Sequence, residues 1–329
     1  MSEHDEQPTA DRGDPQEQAT ADRSEPQRGA PTADRGEPDG GEPVAPSSAQ
    51  AVPATTAGGR LPVALAPVAH LAAREYRIAL RQRWAYGLAA LFAAYSLGVV
   101  AFGATTVGPS RYAAVVASLV EIGVYVVPLA ALAFGYDVVV GADEAGSLEL
   151  LFALPARRGA VVAGVFAGRA VALGGAMAAG FAPAGVLLAA LLGPATVGPY
   201  AVFALAAVGT GLAFLAVSTA VSAVATEKTR ALGVALAAWA WFVLLHDLAA
   251  LGLVAVLELP DLALTALVVT NPADCFRLLV LGGLETTGGG FAALLSAAGL
   301  SPAVLATALL AWVAVPLAAA ARLAGRRRL

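Results

Sequence analysis

The sequence predicts an all-α, polytopic membrane protein with six transmembrane helices and a disordered N-terminal tail. Of its 329 residues, 58% are hydrophobic and only 13% are charged. A helix that spans a membrane needs about 20 predominantly apolar residues, and the chain after residue 60 contains six runs of that kind. We therefore divide the chain into a tail, 1–60, and a transmembrane domain, 61–329.

The tail is polar, acidic and repetitive. Residues 1–60 contain 12 of the 24 acidic residues and almost no large apolar side chains. The motif Thr-Ala-Asp-Arg recurs within Thr9–Pro15, Thr20–Pro26 and Thr32–Pro38. Such a segment cannot bury enough apolar surface to offset the entropy lost on ordering. Residues 1–60 are predicted to be a solvated acidic tail, with docking to a partner as the alternative.

The six apolar runs predict spans at about 85–104, 113–140, 161–192, 200–225, 231–257 and 302–321. Arg and Lys concentrate in the cytoplasmic loops of membrane proteins. Basic residues lie before the first run, after the second and fourth, and at the C-terminus, whereas the alternate loops have only Arg111 and Arg277. We expect a plasma-membrane protein with both termini cytoplasmic and the long connection 258–301 on the outer side.

The segment before the first span, 67–84, has the pattern of an amphipathic helix. His70 and the three arginines Arg74, Arg77 and Arg81 fall on one stripe at 100° per residue. The side largely opposite contains mainly apolar residues: Val68, Ala72, Tyr76, Ala79 and Leu80. Such a helix lies in the membrane interface with its cations toward the headgroups. The alternative is that it is only the basic flank of span one.

The loop between spans two and three, Tyr136–Arg158, has the densest acidic cluster outside the tail. Acidic residues suit the first turn of a helix and cations the last, because the helix dipole is positive at its start. Proline cannot continue a helix. We therefore predict a short cytoplasmic helix at about 143–155 that receives force from a partner. The residues assigned to this contact are Asp143, Glu144, Gly146, Leu148, Leu151, Pro155 and Arg157.

A second helix is predicted within the long outer connection, at 271–285. Its Asn-Pro start is a helix-start signal, and the leucine-rich stretch that follows predicts one buried side. We expect a partly buried helix on the outer face, with a docking platform as its functional interpretation. The residues assigned to that platform are Asn271, Pro272, Asp274 and Arg277.

Ionisable residues inside the spans are candidates for function, because charges are costly there. Glu121 in span two either makes an interhelical polar contact or lines a transport path. His246 and Asp247 in span five could relay protons or bind a metal. We predict no metal site, because no second histidine is nearby and the chain has only one cysteine and two methionines. Asp137 and Arg169, near the inner ends of their spans, are expected to snorkel to the interface.

Catalysis by this chain is not expected. The only lysine, Lys228, follows Glu227, so the sequence has no Gly-Lys-Ser/Thr phosphate-binding loop. It also lacks the His-Glu-x-x-His motif of metalloproteases and the Gly-x-Ser-x-Gly motif of serine hydrolases. We predict no cofactor bound by this chain and no nucleic-acid partner.

Short motifs carry a resemblance to a known family. The pattern Tyr136-Asp137, Gly141, Glu144, Gly146-Ser147-Leu148, Leu154-Pro155 and Arg157 resembles the loop of ABC-2 type transporter permeases, in which a Gly-Glu-x-x-x-Gly-Thr-Leu-like pattern precedes a helix that docks on the ATPase. Here the acid lies two residues before Gly146, and Ser147 replaces the usual threonine. The basic segment around Arg74 resembles the family's N-terminal segment.

Two further motifs resemble one branch of that family, the permease of the nitrous-oxide-reductase maturation transporter. They are His246-Asp247-Leu248 and Asn271-Pro272-x-Asp274-x-x-Arg277-Leu278. Cys275 and Phe276 depart from the branch's pattern. The resemblance implies an ABC-2 fold and a homodimeric permease bound to a separate ABC ATPase, which holds ATP and Mg²⁺. It also implies an extracytoplasmic β-helical accessory protein and a role in assembling copper centres.

Two alternatives stay open from the sequence. An ABC-2 exporter could move a lipid, a drug or an ion that has no link to copper enzymes. A non-transporting membrane scaffold could instead use the tail to recruit partners.

Overall fold

The computed structural model describes residues 66–103, 111–147, 157–282 and 300–326. These residues form helices and turns and contain no strand, which confirms the predicted fold class. The helices, in chain order, are α1 (Ala66–Arg81), α2 (Trp84–Gly103), α3 (Arg111–Gly135), α4 (Val140–Glu144), α5 (Arg158–Leu192), α6 (Val197–Val224), α7 (Lys228–Ala240), α8 (His246–Val256), α9 (Asp261–Val269), α10 (Pro272–Leu281) and α11 (Pro302–Arg326). The predicted tail, 1–60, lies outside the described residues.

Six helical segments are long and apolar enough to cross a membrane, as predicted. In order they are spans one to six: Trp84–Gly103, Arg111–Glu144, Arg158–Leu192, Pro194–Val224, Lys228–Val256 and Pro302–Ala324. Span five consists of α7, a π-helical turn at Trp241–Leu245, and α8. The pair α9 and α10 is bent by 106° and has the form of a broken span or a re-entrant loop, which would be a seventh crossing if it counts as one.

A row of aromatic rings runs through the centre of the spans. Ring centroids are 5.4 Å apart for Phe92 and Phe181, 5.3 Å for Phe181 and Phe203, and 6.0 Å for Phe203 and Phe276. All four side chains are fully buried. The row joins spans one, three and four to α10, so α10 belongs to the core of the molecule.

The predicted helix of the outer connection is present, but it is buried more deeply than the sequence suggested. Asn271 begins α10 by accepting a 3.0 Å hydrogen bond from the Ala273 N–H, and Pro272 occupies the first helical position, where no N–H is needed. Every residue from Asn271 to Leu278 is buried, and α10 packs against α3, α6 and α11. The long connection therefore returns into the bundle.

Glycines let two helices approach α5 closely. A Cβ atom at Gly168 would lie 2.4 Å from the carbonyl oxygen of Ala72 in α1. At Gly180 it would lie 2.8 Å from the carbonyl oxygen of Ala89 in α2. Small residues at helix contacts are typical of membrane proteins, where close backbone packing drives association. The N-terminal helix is therefore packed against span three.

The face that α1 turns toward α5 differs in part from the predicted one. Arg74, Arg77 and Arg81 are exposed, as their stripe indicates. The buried residues on the other side are Leu71, Glu75 and Ala79, whereas Tyr76, which was assigned to the apolar side, is 37% exposed. The contact with α5 sets this orientation, and the hydrophobic pattern alone did not reveal that contact.

We predict that Gly168→Ala destabilises the protein, because the new methyl group would overlap a backbone oxygen of α1. Overpacking of this kind costs about 1–3 kcal/mol. Gly175→Ala, in the same helix, is the matched control, since no atom of a neighbouring described residue lies within 4 Å of a Cβ at that position. Alanine favours the helix there by up to about 1 kcal/mol. Thermal unfolding of both variants in detergent measures the difference, and equal unfolding temperatures would contradict the close contact.

Candidate functional site

Six polar residues from three parts of the chain meet where spans two and five contact α10, with Glu121 at the exposed edge. We call them the charge cluster: Glu121, His246, Asp247, Asn271, Asp274 and Arg277. Glu121 comes from span two, the next two from span five, and the remaining three from α10 and its N-cap. Glu121 lies ten residues from the start of span two and Asp247 nine from the end of span five, so each lies roughly 13–15 Å along its span from the nearer end.

Arg277 is the centre of this cluster. Its Nη1 donates hydrogen bonds of 3.0 Å to Asp247 Oδ2 and of 3.0 Å to Asp274 Oδ1. Its Nε lies 3.4 Å from Glu121 Oε1. The Arg277 side chain is 5% exposed and that of Asp274 is fully buried. One guanidinium therefore ties span two and span five to α10.

Asn271 makes a second connection between α10 and span five. Its Nδ2 donates to the Phe242 carbonyl at 2.9 Å and to Asp274 Oδ2 at 3.0 Å. Phe242 lies in the π-helical turn of span five, and such turns often occur at functional sites. His246, directly after that turn, places its Nδ1 3.2 Å from Asp274 Oδ2. The side chain of Asn271 thus serves both as helix cap and as interhelical bond.

The cluster unites two sets of residues that the sequence left separate. Glu121, His246 and Asp247 were intramembrane candidates, and α10 was assigned to an outer docking face. For Glu121 the contact with Arg277 agrees with the interhelical interpretation. Asn271, Pro272, Asp274 and Arg277 are all buried, so these four side chains do not lie on the surface of the chain. The sequence feature that could have indicated this cluster is the presence of three acidic residues and one arginine in otherwise apolar helices.

A second polar site lies at the other end of span two, where α4 meets the start of span five. Glu144 Oε1 accepts a 2.8 Å hydrogen bond from the backbone N–H of Lys228, the first residue of α7. Its Oε2 lies 3.4 Å from Lys228 Nζ. The carboxylate thus satisfies an N–H group that the start of a helix leaves without an intrahelical partner. The loop after span two and the start of span five are joined by this capping ion pair.

One buried and one partly buried contact fix the start of α4 and the residues before it against their neighbours. Ser222 Oγ, from α6, accepts from the backbone N–H groups of Val139 at 2.9 Å and Val140 at 3.1 Å. Arg169 donates to Asp137 Oδ1 at 2.8 Å and to the Phe134 carbonyl. Asp137 and Arg169 thus pair with each other, and the expectation that they snorkel to the interface stays a prediction. No local sequence pattern indicates this role of Ser222.

The predicted helix at 143–155 differs from the structure in its described part. Asp143 and Glu144 end α4 instead of starting a helix. Gly146 follows with φ of +64°, a left-handed conformation that glycine adopts without steric strain. Arg157 is the N-cap residue of α5. Leu148, Leu151 and Pro155 lie outside the described residues, so their assignment stays a prediction.

Comparison with known proteins agrees with this architecture. Residues 69–329 match the family described as ABC-2 family transporter protein. The chain therefore belongs to the ABC-2 family and is a multi-pass membrane permease, which confirms the resemblance found in the sequence.

Two curated relatives are similar over nearly their whole length. One, from Pseudomonas aeruginosa, is named "Probable ABC transporter permease protein NosY". It is 36% identical over 267 residues, which cover 78% of this chain and 97% of the relative. A protein of the same name from Stutzerimonas stutzeri is 35% identical over 270 residues, covering 78% of this chain and 98% of the relative.

We predict that Arg277→Met strongly destabilises the fold. Methionine would leave Asp274 fully buried without its counter-charge, and breaking a buried ion pair costs about 3–5 kcal/mol. Arg230→Met is the control, because the Arg230 side chain is 71% exposed and its pair with Glu227 is open to solvent. Thermal unfolding in detergent should give a large decrease for the first variant alone. Equal stability of the two variants would show that Arg277 does not hold the bundle together.

Proposed function

We propose that this chain is the permease subunit of an ATP-driven transporter whose ATP hydrolysis is supplied by a separate ABC ATPase. The observation that carries the proposal is membership of the ABC-2 family in a sequence that has no phosphate-binding loop. A transporter subunit of this kind depends on a partner that binds ATP and Mg²⁺. The chain itself supplies the membrane path and the surfaces on which the ATPase acts.

The surface that receives the ATPase is the segment 140–147, which consists of α4 and the turn after it, together with the residues that follow. We call the segment 140–147 the turn. Basic residues near the ends of spans two, four and six favour the cytoplasmic side for this turn. Glu144 and Ala145 are exposed there, so a partner can reach them. Both chain termini lie on the same side in this topology.

Movement of this turn passes to span five. Glu144 caps the start of α7, so displacing α4 pulls on the first residue of that span. Farther along, Trp239 Nε1 donates to the Tyr125 carbonyl at 3.1 Å, and the charge cluster links span five to α10. Span five therefore contacts span two at three levels, the third through Arg277 of α10. A displacement of span five at its cytoplasmic end can be transmitted through these contacts to its other end.

We place the transporter in the maturation of the copper centres of nitrous oxide reductase. The support is twofold: both relatives carry the name NosY, and the motifs at 246–248 and 271–278 resemble that branch. The assembly would be a permease homodimer with two ATPase subunits and a β-helical accessory protein on the outer side. Soft copper ions prefer thiolate and thioether ligands. This chain has one cysteine and two methionines, so its own side chains offer no soft-ligand path for copper.

Glu144→Lys should uncouple ATP hydrolysis from function, because it removes the cap of α7 and places two cations together. In a nitrous-oxide-reducing strain that lacks the gene, we expect the variant to insert in the membrane but to restore little nitrous oxide reduction. The double variant Glu144→Lys with Lys228→Glu restores the opposite-charge pair and should recover part of the activity. Glu227→Lys, an adjacent exposed acid that makes no side-chain cap, is the matched control.

Two results separate the parts of this proposal. If the gene can be deleted without loss of nitrous oxide reduction, the link to the copper enzyme is wrong, and export of another substrate takes its place. If Glu144→Lys keeps full activity and full stimulation of the ATPase, the coupling role of the turn is wrong. Co-purification of an ABC ATPase with the wild-type chain supports the permease assignment in either case.

A further inference from the structure

Three potential metal ligands converge in the charge cluster. His246 Nδ1 lies 3.2 Å from Asp274 Oδ2 and 3.9 Å from Asp247 Oδ1. One potential ligand atom from each of these three residues lies within 4.8 Å of the other two. Ligands at about 2.0–2.2 Å from a tetrahedral Zn²⁺ ion lie roughly 3.2–3.6 Å from one another. The spacing is therefore close to that of a metal site and needs only small side-chain movements to close around an ion.

The surrounding hydrogen bonds leave at least one lone pair on each of the two carboxylate oxygens, because Asp274 Oδ2 accepts a hydrogen bond only from Asn271 Nδ2 within the part of the chain that the structure describes. Arg277 bonds the other oxygen of each carboxylate, Asp247 Oδ2 and Asp274 Oδ1, and so orients both groups. Asp247 Oδ1 is buried and has no hydrogen-bond partner among the residues that the structure describes. Ordinarily a buried oxygen of this kind is paired. Second-sphere partners that fix a ligand through its other atom are a regular feature of metal sites.

Nδ1 of His246 accepts no hydrogen bond from the neighbouring Asn271 side chain. Asn271 Nδ2 lies 3.1 Å from it, but an amide has only two N–H groups. Those two are taken by the Phe242 carbonyl and Asp274 Oδ2. Nδ1 therefore accepts no hydrogen bond from Asn271, and a bound cation would take the place of a proton between Nδ1 and Asp274 Oδ2.

Charge balance favours a divalent cation. A metal ion binds the neutral form of His246, and in that form the carboxylates of Glu121, Asp247 and Asp274 exceed the one guanidinium by two negative charges. Uncompensated charge is unfavourable at membrane depth. One divalent ion would neutralise the excess.

We propose that the charge cluster binds one divalent transition-metal ion through His246 Nδ1, Asp247 Oδ1 and Asp274 Oδ2. An imidazole ligand suits Zn²⁺ and its neighbours better than Mg²⁺ or Ca²⁺, and the two carboxylates are hard ligands that do not suit Cu⁺. Three protein ligands leave one position open to water. The ion joins span five to α10, and it is distinct from any copper that the assembled transporter handles.

This proposed site differs from the prediction, made from the sequence, that the chain has no metal site. That expectation came from the absence of a second histidine and of clustered sulfur ligands. Asp274 is distant in sequence from His246 and Asp247, and its segment was expected on the outer face. Only the return of α10 into the bundle brings the third ligand to the other two.

The test is direct binding of Zn²⁺ to the purified full-length chain in detergent after removal of metals with a chelator. Competition against a chromophoric chelator gives the affinity, and elemental analysis gives the stoichiometry. We expect one Zn²⁺ per chain, unaffected by excess Mg²⁺. Asp247→Asn should weaken binding at least about tenfold, as loss of a ligand exceeds loss of a second-sphere group. Its amide oxygen can still accept from Arg277, so the fold is expected to survive.

His246→Gln is the second variant and should weaken binding in the same way. Asp261→Asn is the control, because Asp261 is an exposed acid on α9 that takes no part in the cluster. Gel filtration and circular dichroism verify that each variant is folded. Absence of stoichiometric Zn²⁺ binding to the folded wild-type chain would overturn the proposal, and so would unchanged affinity in both cluster variants. Neither readout depends on transport or on the ATPase.

Discussion

The buried ion pairs of Arg277 are the interaction on which the described bundle depends. A guanidinium that is 5% exposed is stable inside apolar helices only because carboxylates neutralise and orient it. Those carboxylates come from span five and from α10 itself, with Glu121 of span two close by. The same pairs therefore hold α10 in the core and fix the level at which it meets spans two and five.

Span five needs these polar contacts more than the other spans do. In its most apolar stretch only 17% of residues are buried inside the chain, compared with 61% in span two. Its attachment to span two rests on Glu144 at one end, Trp239 in the middle, and the pairs of Arg277 beyond. A helix held at a few polar points can move as a unit when those points shift, which suits an element that transmits force.

Much of this architecture could be predicted from the sequence. The hydrophobic runs predicted all six spans, and the motif at 136–158 indicated the family. Hydrophobicity does not say which apolar segments pack inside, so α10 was assigned to the outer face although it is buried. The pairs Glu144–Lys228 and Asp137–Arg169 join residues that are far apart in sequence, and no local pattern reveals them. Gly146 was part of the motif, but only its positive φ explains why glycine is required.

The most direct test of the account is photo-crosslinking in intact cells from a reactive residue placed at Ala145. That residue is exposed in the turn that we assign to the ATPase. The account predicts a crosslink to an ABC ATPase from Ala145 and none from Asp261, an exposed residue on α9 at the opposite side of the membrane in the proposed topology. A crosslink to the ATPase from Asp261, with none from Ala145, would contradict it.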